Sequence, residues 1–466
     1  MFRTKFFARA ATRTALGLAL AAGAVMGASA PAVAKDKAPA AAGPKFSPSK
    51  GFLPAYGIAK TAIEAAEKRA DVVAARGQVT AAQAALKAAQ GKTAQAAARA
   101  KLDAAMAASS SLLTPEKTAV AGAAAAAVNT DDKFLAGQLL LNVGTIASDL
   151  AVQRRGVQMQ IDSGRVPAAD LAKYHMVAGN IAMDLKDFAG ARASFTAANA
   201  AGSPASEALV SLADGYIKDN QAAAGLKVLQ DAVVKAGAAA PETWMRFGIA
   251  TAYRAKLPAE ATMFSNELVG AYPTKENWSL AIAVVRDLNQ YQGHDQIDLL
   301  RLMDRTKSYS EERDFVEYIQ AATKRGMPGE ALKVIDTGVT SGLLKANDQF
   351  VVDAKRESAG RVGADRASLP KQEADARGPR ATALSVVAAA DTLLSYDQAA
   401  KAEELYNIAL TKAGVDTTRV NLRLGIAQID QGKYAAAQAN LAKVNDARAP
   451  IAKLWSAYAA GKLAGK

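Results

Sequence analysis

The sequence predicts an all-α protein: a solenoid of stacked helix hairpins, with an Ala-rich helical hairpin on its N-terminal side. Three observations predict it. A frame of small residue, Ala, aromatic and Ala recurs, with Gly179 followed by Ala191, Phe195 and Ala198, and Ala390 by Ala402, Tyr406 and Ala409, in steps of 12, 4 and 3. The small residue that opens the frame returns at Ala213 and Gly248, after 34 and 35 residues, and again from Ala390 to Gly425, after 35. No run of six or more residues alternates in the way a half-buried strand requires.

The elements follow in order. Arg3, Lys5, Arg9 and Arg13 precede an apolar stretch from Ala15 to Ala28, and Ala32-Val33-Ala34 offers small residues for cleavage. This is the layout of a secretory signal over 1–34, cleaved after Ala34. The apolar stretch is too short to span a bilayer, and nothing later reaches about 20 apolar residues, so the mature chain is expected not to be transmembrane. Export places it in the periplasm or outside the cell. Residues 35–54 carry Pro39, Pro44, Pro48 and Pro54 and read as a flexible lead. The stretch 55–128 is Ala-rich and basic, with a long helical hairpin from Tyr56 to Ala108 broken near Gly77 and a further helix opened by Pro115.

Helical repeats are expected over 129–345. Phe134, Leu135, Leu139, Leu141 and Val143 crowd one segment, which predicts burial between neighbours. The block from 277 to 345 exceeds one unit and predicts an extra helix around Ile297–Met303. Residues 346–381 are rich in charge and hold Gly360, Gly363, Pro370, Gly378 and Pro379, so they read as a short charged helix between loops or a linker. Further repeats with a capping helix occupy 382–466, with Trp455 where the first helix of another unit would lie.

Each frame position has a packing reason. A mid-helix Gly or Ala lets the partner helix approach, at up to about 1 kcal/mol of helix propensity for Gly. The large residue at the third position is a plug between neighbouring pairs, worth roughly 1.5–3 kcal/mol when buried. That is too little to order one hairpin alone, so stability comes from stacking. Pro204, Pro241 and Pro273 punctuate successive units. With Trp244 four residues before Gly248, and the pairs Leu212–Ala213 and Leu424–Gly425, the chain resembles the tetratricopeptide repeat (TPR) family, specifically its exported bacterial members of unassigned function. The resemblance is clear over 170–275 and 382–466 and weaker over 310–340, where Ala322, Ala331 and Ile335 keep the phase. Gly225, Leu229 and Gly338 stand where Ala or an aromatic is expected, which marks degenerate units.

The formal net charge is +13, and +9 once the signal is removed. Twelve basic residues between Lys35 and Lys101 meet only Asp36, Glu64, Glu67 and Asp71, so this segment carries most of the excess. It suits an anionic envelope surface such as phospholipid, lipopolysaccharide or cell-wall polymer; lysines that solubilise an Ala-rich helix are the plainer reading. No aromatic residue occurs from 57 to 101 to stack on bases, so nucleic acid is not expected.

Little in the chain predicts catalysis. There is no cysteine, and of two histidines His175 falls in a repeat helix while His294 sits in turn-like Gln292-Gly293-His294-Asp295; neither metal nor cofactor is expected. Gly91-Lys92-Thr93 ends like a phosphate loop, but Leu86 replaces the required Gly. Gly156 to Gln160 resembles a segment of lytic transglycosylases, yet no Glu lies between Glu116 and Glu207 to serve as their acid. The expected function is a non-catalytic scaffold holding a protein or peptide; the alternative is a cell-envelope enzyme, or its regulatory arm, acting on glycan or peptide, which requires a pocket of converging carboxylates. In TPR-like stacks the first helices line the concave groove. The resemblance therefore puts Asn180, Asp214, Arg246, Tyr253 and Arg423 there, the arginines to receive carboxylates, Asn180 to bond a peptide backbone and Tyr253 to form an apolar wall.

Overall fold

The computed structural model describes residues 46–291 and 294–465, and every regular element among them is helical. The signal segment and the lead up to residue 45 lie outside the described residues, as do Gln292 and Gly293. The chain divides into two units, one ending at Lys235 and one beginning at Ala236. The repeat block expected over 129–345 is therefore shared between them.

The N-terminal unit contains α1 (Leu53–Ala66), α2 (Ala70–Ala88), α3 (Lys92–Leu112), α4 (Thr114–Ala126), α5 (Thr130–Ile146), α6 (Leu150–Asp162), α7 (Ala168–Asp184), α8 (Phe188–Ala200), α9 (Glu207–Lys218) and α10 (Ala222–Ala236). The flexible lead expected up to residue 54 ends earlier. Phe46 stacks on Phe134 at 5.2 Å, the Ser47 and Ser49 amides donate to Asp131 and Asp132 at 2.8 Å, and Phe52 is fully buried. The break expected near Gly77 is also absent. Gly77 lies inside α2, where a Cβ would meet nothing, and the turn falls at Gly91, whose φ of +85° suits glycine. An isolated solvent-facing Gly costs a helix only about 1 kcal/mol, and the apolar seam of α2 (Val72, Ala75, Val79) continues past it. Pro115 does open α4, at its first turn.

Hairpin α5/α6 is packed backbone to backbone. A Cβ on Gly156 would lie 2.5 Å from the Leu141 nitrogen and 2.7 Å from the Gly137 oxygen; one on Gly144 would lie 2.7 Å from the Gln153 nitrogen. In hairpin α7/α8 a Cβ on Gly179 would meet the Phe195 ring. The frame thus works inside the hairpin. Its large residue presses on the small residue of its own first helix, rather than plugging the gap between neighbouring pairs.

The C-terminal unit contains α11 (Glu242–Ala255), α12 (Pro258–Ala271), α13 (Lys275–Asn289), α14 (His294–Arg305), α15 (Glu312–Lys324), α16 (Pro328–Thr340), α17 (Gln349–Arg377), α18 (Ala383–Ser395), α19 (Ala399–Leu410), α20 (Thr417–Asp430), α21 (Tyr434–Leu441) and α22 (Ala449–Leu463). The frame packs here as it does in α7/α8, with Gly248 against the Phe264 ring at 2.6 Å and Gly425 against Leu441 at 2.7 Å, measured from a built Cβ. Both units are thus TPR-like tandems of antiparallel helix hairpins. Pro204, Pro241 and Pro273 fall in the joints directly ahead of α9, α11 and α13.

Two features of this unit differ from expectation. Residues 346–381 are neither a linker nor a short helix but lie mostly in the 29-residue α17, with Pro370 inside it. An interior proline costs about 3 kcal/mol, and burial of Val351, Ala354, Leu369 and Ala376 offsets it. Gly360 and Gly363 face open space. The side of α17 is tied down as well: the Tyr396 hydroxyl donates to Asp365 at 2.7 Å, and Lys401 pairs with Glu373 at 2.9 Å.

The second difference lies in α22. α22 does more than cap the last hairpin. It packs on α12 and touches α13, α14, α20 and α21, so the run of hairpins closes on itself. The extra helix expected around Ile297–Met303 is α14, and every residue from Ile297 to Asp304 is buried. A helix buried on all sides occupies a core rather than a surface.

Candidate functional site

The faces of α14 explain its position. Ile297, Leu299, Leu300, Leu302 and Met303 supply apolar contact, while Asp298, Arg301 and Asp304 need partners to be buried at all. Arg301 forks onto Glu330 of α16 with both bonds at 2.8 Å, and the Tyr318 hydroxyl of α15 donates to the same carboxylate at 2.6 Å. Asp298 accepts from Arg301 and from Arg423 of α20, each at 3.2 Å, and its carbonyl accepts the Trp455 indole N–H at 2.9 Å. Arg423 also donates to Asp391 of α18, which accepts from Arg419 at 3.0 Å and from Tyr406 at 2.7 Å. Arg305 closes the helix end with two bonds to Asp430, at 2.8 and 2.9 Å.

This corrects the placement of Arg423. It is fully buried between Asp298 and Asp391, so it receives carboxylates, as its chemistry suggested, but they belong to its own chain. In the C-terminal unit the groove has an occupant, and that occupant is α14.

A cleft of about 280 Å³ opens at the end of α14, lined by Asp304, Arg305, Lys307, Lys333, Asp397, Ala399 and Asp430, and below it lies a cavity of about 20 Å³. Carboxylates converge here, as the enzyme reading requires, but each is held by a cation: Asp304 by Arg305 and Lys307, Asp397 by Lys333, Asp430 by Arg305. Burial opposes ionisation of Glu330 at the base. The Arg301 charge and the hydrogen bonds from Arg301 and Tyr318 outweigh it, bringing its carboxyl down to about 2. Such a group stays ionised at neutral pH and cannot give up a proton as a general acid. His175 is half-buried, and burial pushes its pKa down. His294 opens α14, while the turn expected before it lies outside the described residues. Among the described residues no three His, Asp or Glu side chains are grouped to hold a metal.

The remaining expected groove residues fall in different units. Asn180 on α7 is exposed, and Asp214 on α9 is half-buried with Lys218 at 3.0 Å. In the C-terminal unit, half-buried Arg246 pairs with Glu242 at 2.7 Å and also bonds Asn277, and the Tyr253 hydroxyl reaches toward Asp287 at 3.5 Å. Neighbours on the same faces separate the two units. α7 leaves Asn180 and Asp184 exposed and Met176 half-buried, and α9 leaves Val210, Asp214 and Ile217 half-buried. The equivalent Val387, Asp391 and Ser395 of α18, and Leu422, Ile426 and Ile429 of α20, are all buried.

The basic hairpin is the other open feature. From Thr80 to Lys101 no residue of α2 or α3 is buried, and no acid occurs between Asp71 and Asp103. Its root is fixed by Arg69 on Glu116 at 2.8 Å and by Ser110 and Lys117 on Asp149 at 2.8 and 3.0 Å. No helix among the described residues is long and apolar enough to cross a membrane.

No protein-family model matches the chain, and no curated protein matches it. Solved structures with likeness to it include the TPR2AB-domain–pHSP90 complex of yeast Sti1, at 16% identity over 63% of this chain and 97% of that one, with a TM-score of 0.23. A tetratricopeptide repeat protein from Parabacteroides merdae shows 13% identity over 56% of this chain and 99% of its own, with a TM-score of 0.24. The APC/C hetero-tetramer Cut9–Hcn1 shows 13% identity over 72% of this chain and 62% of its own, with a TM-score of 0.23. At such TM-scores the likeness carries no argument, and the TPR-like description rests on the chain's own hairpin packing.

Proposed function

We propose that the protein is an exported, non-catalytic helical-repeat scaffold that holds a protein or peptide through its N-terminal unit. One observation supports this reading: the side chains of α7 and α9 at the positions expected to line a groove are exposed or half-buried, while their counterparts on α18 and α20 are buried. Asn180 offers an amide donor and acceptor to a peptide backbone, Asp214 a carboxylate, and Met176 and Val210 apolar contact. The basic segment up to Lys101 adds a second attachment, to an anionic envelope surface. Export rests on the signal-like residues 1–34, which place the mature chain in the periplasm or outside the cell.

The test is quantitative crosslinking in the native envelope with an Asn180→Arg/Asp214→Arg double variant. Both positions face solvent in whole or in part, so folding should persist by circular dichroism. Partners captured by the wild-type chain should be lost. Retention of the full partner set by the folded variant would remove α7 and α9 from the reading.

A further inference from the structure

Hairpin α2/α3 is built on one seam. In α2 the inward residues are Val72, Ala75 and Val79, followed by half-buried Ala82 and Leu86; in α3 they are half-buried Ala98 and Ala105 with buried Leu102 and Ser109. These recur at alternating steps of three and four, as in a two-stranded coiled coil. At about 100° per residue, Arg76 and Lys87 lie roughly a quarter-turn to one side of the α2 seam. Lys92 and Arg99 lie the same rotation from the α3 seam, and Lys101 lies on its other side. Because the helices run antiparallel, equal rotations bring both pairs to the same broad face of the hairpin. All four cations are exposed. No acid stands in the sequence between Asp71 and Asp103, and Asp103 takes Arg99 at 3.0 Å. The opposite face carries Ala74, Ala81, Ala85 and Ala88 on α2 with Ala97, Lys101, Ala104 and Ala108 on α3, all exposed.

We propose that this hairpin docks flat on an anionic phospholipid surface through the face bearing Arg76, Lys87, Lys92 and Arg99. The inference rests on the anionic-surface part of the proposed function and specifies its face and its partner. Charge complementarity carries it: the two antiparallel helices make a slab, and a slab with four cations on one broad side and a single lysine, Lys101, among alanines on the other fits a plane of negative headgroups better in one orientation. α2 and α3 are each about 30 Å long, so the four charges contact the surface together. Each cation held near such a surface is worth about 1 kcal/mol.

The experiment is co-sedimentation of the full chain with vesicles of phosphatidylglycerol and phosphatidylcholine, beside phosphatidylcholine alone, at low and high salt. Lys87→Gln/Lys92→Gln and Lys101→Glu each remove two units of charge, but from opposite faces. The first should weaken binding to the anionic vesicles about thirtyfold, and the second by less than threefold; high salt should release the wild type. Equal losses in the two variants would overturn the face while leaving electrostatic attachment intact. Equal binding of the wild type to neutral and anionic vesicles would overturn the anionic-surface reading itself. Binding to lipopolysaccharide or wall polymer but not to phosphatidylglycerol vesicles would overturn the phospholipid.

Discussion

Replacing Arg423 by Met separates a groove residue from a keystone. Arg423 is fully buried and bridges Asp298 of α14 and Asp391 of α18. In the variant each carboxylate keeps other partners: Asp298 keeps Arg301 at 3.2 Å, and Asp391 keeps Arg419 at 3.0 Å and the Tyr406 hydroxyl at 2.7 Å. Removing one member of a buried ion pair costs about 3–5 kcal/mol, and the remaining partners put this case near 3 kcal/mol. A solvated arginine on an open groove would cost under about 0.5 kcal/mol. The chain's three tryptophans, Trp244, Trp278 and Trp455, all lie in the C-terminal unit, so their fluorescence reports that unit alone. With a urea slope of about 2–3 kcal/mol per molar, the fluorescence midpoint should fall by about 1 M. A midpoint within about 0.2 M of wild type, at that slope, would refute the reasoning, and with it the claim that the network holds α14 in place.

The same readout divides other changes between the units. Gly156→Ala drives a Cβ against two backbone atoms that cannot rotate away; it should cost about 1–3 kcal/mol despite alanine's better helix propensity. Its effect should appear in far-ultraviolet circular dichroism and leave the tryptophan transition unmoved. Gly360→Ala, which meets nothing, should raise the tryptophan transition by up to about 1 kcal/mol. Acid should act on the C-terminal unit through Glu330. Its folded carboxyl is held at about 2 against an ordinary 4.5, so its contribution is complete above about 4.5 and lost as pH falls toward 2. Glu330→Gln should therefore flatten the dependence of tryptophan-monitored stability on pH across that window; an unchanged slope would contradict the Arg301–Glu330–Tyr318 arrangement.

The hairpins were legible because their determinant is local. Gly179 and Phe195, or Gly425 and Leu441, touch within one hairpin at a fixed separation, so the repeat in the sequence is the contact in the structure. Helix ends were less legible. Gly77 and Pro370 looked like breaks because each lowers helix propensity, yet both sit in helices whose buried faces continue past them. Closure of the C-terminal unit was not legible at all. It depends on α22 meeting α12, nearly 200 residues earlier in the chain, and no periodicity records such a meeting. A signal for α14 existed: Asp298 and Arg301 interrupt an otherwise apolar run from Ile297 to Met303, and charges inside such a run require buried partners.

The groove residues show why frame position alone does not specify a site. Asp214 and Asp391 each stand one residue after the small residue of their frame, Ala213 and Ala390. Asp214 has Lys218 one turn away and stays at the half-buried surface. Asp391 meets Arg423 and Arg419 from α20, and Arg423 reaches on to α14. The first is a half-exposed carboxylate whose ion pair with Lys218 is worth little. The second is buried, and separating it from its arginines would strand three charges in the interior. The same residue type at the same repeat position is thus a candidate contact in one unit and a structural element in the other, and what decides between them is whether another helix of the chain already fills the groove.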